Sequence, residues 1–172
     1  RDFTTASPNE AWVADITYLP VVGGWAYLAV LIDLFSRKVV GWALDDTIDT
    51  ELCLRALAHA IAAWQPEAGL IHHSDRGCQY TSDAYQSLLK TLGIECSMSR
   101  TGCCYDNAAM ERFFWSLKQE RLNHIQLRDL EHAQREVFKY IEAFYNTQRV
   151  HQTLDHKSPN DFEAHYYHSR SS

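Results

Sequence analysis

Residues 12–19 read WVADITYL, an apolar stretch with one carboxylate, Asp15, near its middle. Trp, Val, Ile, Thr and Tyr favour β-strands, and the alternation of side chains along a strand places Asp15 on the same face as Thr17. An acidic residue is uncommon in a strand and costly to bury unless another group compensates its charge. The stretch therefore predicts a first strand whose aspartate is a functional group, an edge or turn residue, or the partner of an arginine.

Two further carboxylates occur in comparable positions. Asp75 ends the run LIHHSD at residues 70–75, and Glu111 lies early in the helix-like run DNAAMERFF at residues 106–114, with thirty-five residues between the two. Taken alone, Asp75 is compatible with an Asx turn and Glu111 with a solvated helix position. Taken with Asp15, they predict binding of divalent cations, which compensate buried negative charge and support phosphodiester chemistry in two-metal sites.

The order of strand-like and helix-like runs predicts the fold. Strands are expected at 12–19, 25–33, 38–44, 70–73 and 94–97. A crossover helix between the third and fourth strands implies a parallel neighbour for the fourth, which can be the first strand. We expect an α/β fold in which three antiparallel strands and two later strands form a mixed five-stranded sheet flanked by helices. Residues 1–150 are assigned to this core, and residues 151–172 to a partly ordered C-terminal tail.

Capping and turn residues set several boundaries. Gly23-Gly24 predicts a tight hairpin turn, and helix N-caps are expected at Asp49 or Thr50 and at Thr81 or Ser82. Asp33 and Arg37 flank the next turn and are expected to form an ion pair. A final helix over 128–146 is expected to bury Val137, Phe138, Ile141, Phe144 and Tyr145.

The composition is typical of one globular domain without a membrane span. Of 172 residues, 46% are hydrophobic, and no apolar run approaches the length of about 20 residues that a span needs. The five cysteines form no Cys-x-x-Cys pair and are expected to be reduced thiols of a cytoplasmic protein. The net charge of −6 is unfavourable for DNA binding. A metal-dependent nuclease core is nevertheless acidic by nature, and a basic region elsewhere in a longer protein would supply affinity.

Several ordered motifs resemble one known family. They are WVADITY at 12–18, IDLFSR at 32–37 with Gly41-Trp42, HSDRGCQYTS at 73–82, SMSRTG at 97–102, Asp-Asn-Ala at 106–108, Glu111 with LKQE at 117–120, and YNTQR at 145–149 with His151. Together they resemble the catalytic core of bacterial insertion-sequence transposases of the DDE class, in the retroviral-integrase-like group of the ribonuclease H fold. The resemblance covers nearly the whole chain and implies that Asp15, Asp75 and Glu111 are the catalytic, metal-binding triad.

The resemblance also implies a reaction on DNA. Such a transposase nicks the ends of a mobile element to free a 3′-hydroxyl and joins it to target DNA, as a multimer and with a helix-turn-helix region elsewhere in the full protein. Two Mg²⁺ ions, for which Mn²⁺ can substitute, would be held by the triad, with Asp15 binding both and Asp75 and Glu111 one each. The alternatives are a nuclease that hydrolyses without joining and a catalytically silent DNA-binding regulator, against which the intact triad argues. In the cytoplasm the protein is expected to associate with the nucleoid when bound to DNA.

Further residues are candidates for DNA contact. Lys118 follows Glu111 by two helical turns, so the two share a helix face, and Lys118 is expected to bind a phosphate near the metal ions. Asn107 either contacts DNA or, like Asp106, caps the helix that carries Glu111. Other phosphate candidates are Arg76, Arg100 and Arg112. Because strand side chains alternate, one of His72 and His73 is expected in the core and the other near the metal ions.

Overall fold

The structure, a computed structural model, describes residues 4–98 and 107–171. Its strands are β1 (Ala11–Val21), β2 (Gly24–Asp33), β3 (Val39–Asp45), β4 (Ile71–Ser74) and β5 (Glu95–Met98). Its α-helices are α1 (Thr50–Trp64), α2 (Cys78–Thr81), α3 (Asp83–Thr91), α4 (Ala108–Glu120), α5 (Leu130–Phe138) and α6 (Pro159–Arg170). A π-helix, Lys139–Tyr145, continues α5, and short 3₁₀ turns span Leu122–His124 and Gln152–Leu154.

The five strands form one mixed sheet in the order β3-β2-β1-β4-β5. β1, β2 and β3 are antiparallel neighbours, whereas β4 pairs in parallel with both β1 and β5. A two-residue turn joins β1 to β2, and Gly23 in this turn has a φ of +83°, which glycine adopts without steric cost. The predicted ribonuclease H-like sheet, with the first strand beside the fourth, is confirmed.

Both faces of the sheet are buried under helices. Val13 packs on the face covered by α4, α5 and the π-helix, whereas Ala14 packs on the face covered by α1 and α3. Gly41 permits the close approach of β3 to α1, since a Cβ atom there would lie 2.5 Å from the Ala56 carbonyl oxygen. Alternation along β1 directs Asp15 to the α4 face, as the sequence predicts.

Two helix caps agree with prediction, but the turn after β2 does not. Asp49 accepts a hydrogen bond from the Leu52 N–H at the start of α1, and Ser82 accepts one from the Tyr85 N–H at the start of α3. The expected ion pair of Asp33 with Arg37 is absent from the described residues. Asp33 instead accepts from the Asn9 N–H and from both the N–H and hydroxyl of Ser36, at 2.7–2.9 Å. The turn supplies its own donors, so the carboxylate is satisfied without the guanidinium.

The predicted final helix is present but changes type at Lys139. From there the backbone forms bonds such as the one from the Asn146 N–H to the Ile141 carbonyl, which spans five residues. Val137, Ile141 and Tyr145 are buried, but Phe138 and Phe144 are 54% and 39% exposed. The expected burial of these two phenylalanines is therefore wrong, because the core side of the helix is formed by Val137, Tyr140, Ile141 and Tyr145.

The segment expected to be a partly ordered tail forms a helix packed on the core. Ser158 caps α6, and Pro159 occupies the first helical turn, where its missing N–H is tolerated. Glu163 of α6 pairs with Lys38 at 3.2 Å, and both side chains are about nine-tenths buried. Phe162 places its ring 5.1 Å from that of Phe35. A polar helix can remain docked in this way because its few inward residues find specific partners.

Within the described ranges, no helix is long and apolar enough to cross a bilayer. Cys53, Cys78 and Cys96 are free thiols, as expected, and Cys103 and Cys104 lie outside the described residues.

Candidate metal and DNA site

Asp15 lies where β1 extends past the end of β4. The last residue of β1 that pairs with β4 is Val13, whereas pairing with β2 continues along the whole of β1. The Asp15 carboxylate accepts a hydrogen bond from the Ile16 N–H at 2.8 Å and another from the Asn107 side-chain amide at 2.9 Å. Asn107 directly precedes α4, so this contact fixes the start of α4 against the central strand.

The surroundings of Asp15 disfavour its negative charge. Burial raises the pKa of the Asp15 carboxyl, and the hydrogen bonds from Asn107 and Ile16 oppose that rise. The charges of Asp75 and Glu111 raise the pKa further, which shows that both carboxylates lie near enough to act on Asp15. A half-buried carboxylate within electrostatic range of two others is a favourable place for a cation.

Asp75 is exposed and follows the last residue of β4. Its Oδ1 atom accepts a hydrogen bond from the Gly77 N–H at 2.8 Å, which is the Asx-turn geometry that the sequence left open. Since β1 and β4 are parallel neighbours, the turn brings Asp75 to the edge of the sheet at which Asp15 emerges. Asp75 can therefore form the Asx turn and also lie at the same sheet edge as Asp15.

Glu111 is exposed in the first turn of α4. Asn107 occupies the N-cap position of this helix, but its side chain makes no capping bond and instead donates to Asp15. The Asn107 Oδ1 atom is buried without a hydrogen-bond partner. The expected capping by Asn107 is therefore wrong, and Asp106 lies outside the described residues.

The three carboxylates are not gathered into a finished metal cluster. Among the described residues, no group of three His, Cys, Asp or Glu side chains is close enough to hold an ion. The structure brings Asp75 and Glu111 within electrostatic range of Asp15, which is half-buried, whereas the other two are exposed.

Lys118 extends the site along β1. Its ammonium group donates to the Thr17 hydroxyl at 2.9 Å and lies 5.4 Å from the centre of the Tyr18 ring. Thr17 is two residues after Asp15 on the same strand face, so the Lys118 ammonium group reaches the face of β1 that carries Asp15. Arg76 and Arg112 are exposed, and Arg100 lies outside the described residues.

The two adjacent histidines point to opposite faces of β4, as alternation requires. His72 contacts the Tyr85 hydroxyl at 2.7 Å on the α3 side, and burial lowers its pKa to about 4, so it is a neutral core residue. His73 is buried and contacts the Ser97 hydroxyl at 3.1 Å.

The segment from Tyr145 to His151 contacts both β3 and α4. Asn146 donates to the Val39 carbonyl and accepts from the Val39 N–H, each at 3.0 Å. Arg149 donates to both oxygens of Glu120 near the end of α4, at 2.7–2.9 Å. Asn146 thus fixes the end of the π-helix to β3, and Arg149 holds the helix that carries Glu111.

Sequence reasoning also missed the bond between Asn107 and Asp15. The signal was present in the spacing, because Asn107 precedes Glu111 by four residues and therefore lies on the same side of the helix. A shared face for Asn107, Glu111 and Lys118 predicts that all three project toward β1.

Comparisons with known proteins agree with this architecture. Two models of the integrase core domain match the chain, one over residues 5–104 and the other over residues 92–159. The transposase for insertion sequence element IS904 of Lactococcus lactis subsp. lactis (strain IL1403) is 47% identical over 161 residues, covering 94% of this chain and 64% of that protein. Transposase InsF for insertion sequence IS3A of Escherichia coli (strain K12) is 44% identical over 163 residues, covering 95% and 57%. The chain thus spans less than two thirds of either relative.

Solved structures show the same fold at lower identity. The HTLV-2 integrase catalytic core domain in complex with magnesium, in its trimeric form, superposes with a TM-score of 0.72 at 18% identity, covering 93% of this chain and 99% of that one. A chain of the simian T-cell lymphotropic virus intasome in complex with PP2A regulatory subunit B56 gamma gives a TM-score of 0.75 at 20% identity, covering 92% and 55%. With a family model matched over more than half of its length, the chain belongs to the integrase core domain family.

Proposed function

We propose that this chain is the catalytic domain of an insertion-sequence transposase that nicks element ends and joins the freed 3′-hydroxyl to target DNA. The observation that carries the proposal is the position of Asp15, half-buried on the central strand and within electrostatic range of Asp75 and Glu111. The two similar proteins described above are transposases of insertion sequences, which supports DNA as the substrate.

The donor atoms of the three carboxylates suit hard divalent cations such as Mg²⁺ or Mn²⁺. Asp15 is the fixed member, while Asp75 and Glu111 are exposed and have room to turn toward it. When bound, two such ions lower the pKa of an attacking water or hydroxyl and stabilise charge on the reacting phosphate. The HTLV-2 integrase core, which shares the fold, was solved in complex with magnesium.

The chain's own residues would position the carboxylates and the DNA. Asn107 holds one oxygen of Asp15, which leaves the other oriented by the Ile16 N–H. Lys118 carries a positive charge held at Thr17, where it can bind a phosphate of the strand entering the site. Arg76, Arg100, Arg112 and Asn107 remain our further candidates for DNA contact.

We further propose that the domain works within a longer, multimeric protein. The net charge of −6 is unfavourable for the long-range attraction of DNA, so a helix-turn-helix region outside this chain would supply most of the affinity. Both named relatives are longer than the matched region. The retroviral integrase core of the same fold was solved in dimeric and trimeric forms.

The test uses a full-length protein that contains this domain and a labelled DNA end of its own element. With Mg²⁺ or Mn²⁺, the wild type should release a nicked strand and form joined products, and chelation should abolish both. Asp75→Asn and Glu111→Gln should remove both activities, whereas Glu51→Gln, at an exposed position of α1, should leave them unchanged. Cleavage that persists in either carboxylate variant contradicts the assignment of the triad. Nicking without joining identifies a nuclease instead of a transposase.

A further inference from the structure

The hairpin formed by β1 and β2 exposes two aromatic rings near its tip. Tyr18 is 60% exposed and Trp25 is 51% exposed. Their ring centres lie 5.2 Å apart with the planes nearly perpendicular. This edge-to-face arrangement is favourable for aromatic pairs and leaves ring surface open to a third planar group.

The two aromatic rings belong to a rigid hairpin. The strands pair without interruption to the turn, where Val21 faces Gly24. The turn itself is held from outside, because the Val22 N–H donates to the carbonyl of buried Leu127 at 2.9 Å. A ligand that stacks on these rings would therefore meet a preformed surface, with little loss of conformational entropy.

The rings lie close to the carboxylate site but on the other face of β1. Tyr18 follows Asp15 by three residues, about 10 Å along a strand, so the two side chains leave opposite faces, and a DNA strand would pass from one to the other around the unpaired edge of β1. Lys118 joins the two places, since its ammonium group contacts Thr17 and also lies 5.4 Å from the Tyr18 ring centre. Beyond Val13 this edge of β1 is not paired with β4, so a strand of DNA has access along it.

We propose that Tyr18 and Trp25 form a stacking surface for an unpaired nucleobase of the DNA strand that enters the carboxylate site; this rests on the proposed function. A DNA strand carries planar bases and phosphates at short, regular spacing, and the surface presents aromatic rings with an ammonium group 5.4 Å from the Tyr18 ring centre. An apolar protein partner would have to desolvate Lys118 without pairing its charge, which is unfavourable. Stacking is tolerant of base identity, so the surface would hold an opened DNA end of any sequence.

The test measures binding, not catalysis. The chain is titrated, with Ca²⁺ in place of Mg²⁺, against a short labelled duplex that is either blunt or extended by a few unpaired nucleotides containing 2-aminopurine. The wild type should bind the extended duplex about 10-fold more tightly than the blunt one, a usual effect of one stacked base, and should quench the 2-aminopurine. The double variant Tyr18→Ala/Trp25→Ala should lose both effects, while Tyr18→Phe should keep them.

Val22→Ala is the matched control, because it removes exposed apolar surface from the same turn but no aromatic ring. It should retain the preference for unpaired bases. Equal binding of blunt and extended DNA by the wild type, or an unchanged preference in the double variant, overturns the proposal. So does a change in oligomeric state in the double variant with base preference intact, since the rings would then contact a second copy. Failure of the proposed function is detected in a separate assay, in which the wild-type protein would show no metal-dependent cleavage.

Discussion

Asp15 and Asp33 are two aspartates of neighbouring strands that the fold treats in opposite ways. Burial raises the pKa of both carboxyls. Asp33 is completely buried and accepts three hydrogen bonds from Asn9 and Ser36, so its surroundings satisfy it. Asp15 accepts one bond from its own neighbour, Ile16, and one from Asn107, and it lies near two more carboxylates.

The difference separates a structural carboxylate from a functional one. The direction of the pKa shift does not distinguish them, because burial raises both values. The balance of donors against nearby negative charges does, since an aspartate with enough fixed donors needs no ion, whereas one placed beside other acidic groups remains destabilised until a cation arrives.

The largest expected difference is in catalysis. Asp15→Asn in the full-length protein should reduce metal-dependent cleavage of element-end DNA by roughly 10³-fold, the upper range for loss of one group that stabilises a transition state. Asp33→Asn should keep cleavage within a few-fold once rates are normalised to folded protein. Gel assays of labelled DNA ends measure both rates, and a comparable loss in the two variants would erase the distinction.

For the free energy of unfolding, the Asp33 variant should show the larger loss. Asp33→Ala leaves the Ser36 N–H, the Ser36 hydroxyl and the Asn9 N–H without an acceptor, and should lower the free energy of unfolding by about 2–4 kcal/mol. Asp15→Ala should cost under about 1 kcal/mol, because it also removes an unfavourable buried charge. Urea titrations without metal measure the two values, and a larger loss for Asp15→Ala would contradict the comparison.

Like Asp33, Asp15 should contribute to the pH dependence of stability. Its pKa in the folded chain is raised above the unfolded value, so the charged form is penalised, and the stability linked to protonation is present at low pH and lost as pH rises through the folded pKa. Metal-free Asp15→Asn should therefore melt a few degrees above the wild type at neutral pH, with the gap closing on acidification.

Binding of a metal ion should reverse the order of the melting temperatures of the wild type and Asp15→Asn. Saturating Mn²⁺ at neutral pH should raise the melting temperature of the wild type and leave that of Asp15→Asn nearly unchanged, because only the native carboxylate site gains binding free energy. Scanning fluorimetry with and without Mn²⁺ provides the measurement. An equal metal response in both proteins would show that the ion binds elsewhere.

The smallest expected effect concerns Lys118, which differs from Lys38 in the way that Asp15 differs from Asp33. Lys38 is buried against Glu163, whereas Lys118, within the described part of the chain, contacts the neutral Thr17 hydroxyl and the Tyr18 ring. Lys118→Ala should weaken DNA binding a few-fold for all sequences and reduce the salt slope of log K by about 1. Lys90→Ala, at an exposed position of α3, is the control and should change neither. Salt titrations by fluorescence anisotropy check this, and an unchanged slope for Lys118→Ala would exclude its phosphate contact.

Local chemistry alone determined much of the fold. The strand-forming residues of 12–19, the glycines of the first turn and the caps at Asp49 and Ser82 all act over a few residues, so they can be recognised from the sequence. The order of these elements then implied a parallel neighbour for the fourth strand and allowed the first strand to be that neighbour. The family motifs added the expectation that Asp15, Asp75 and Glu111 act together.

Only the tertiary structure decided which distant groups meet. Asn107 reaches Asp15 across 92 positions, Lys118 reaches Thr17 across 101, and Lys38 reaches Glu163 across 125. Periodicity and propensity say which face a residue occupies, but not which donor from another element lies opposite it. For the same reason the docking of α6 and the exposure of Phe138 could not be read from the sequence, because both depend on how a finished helix packs against the sheet.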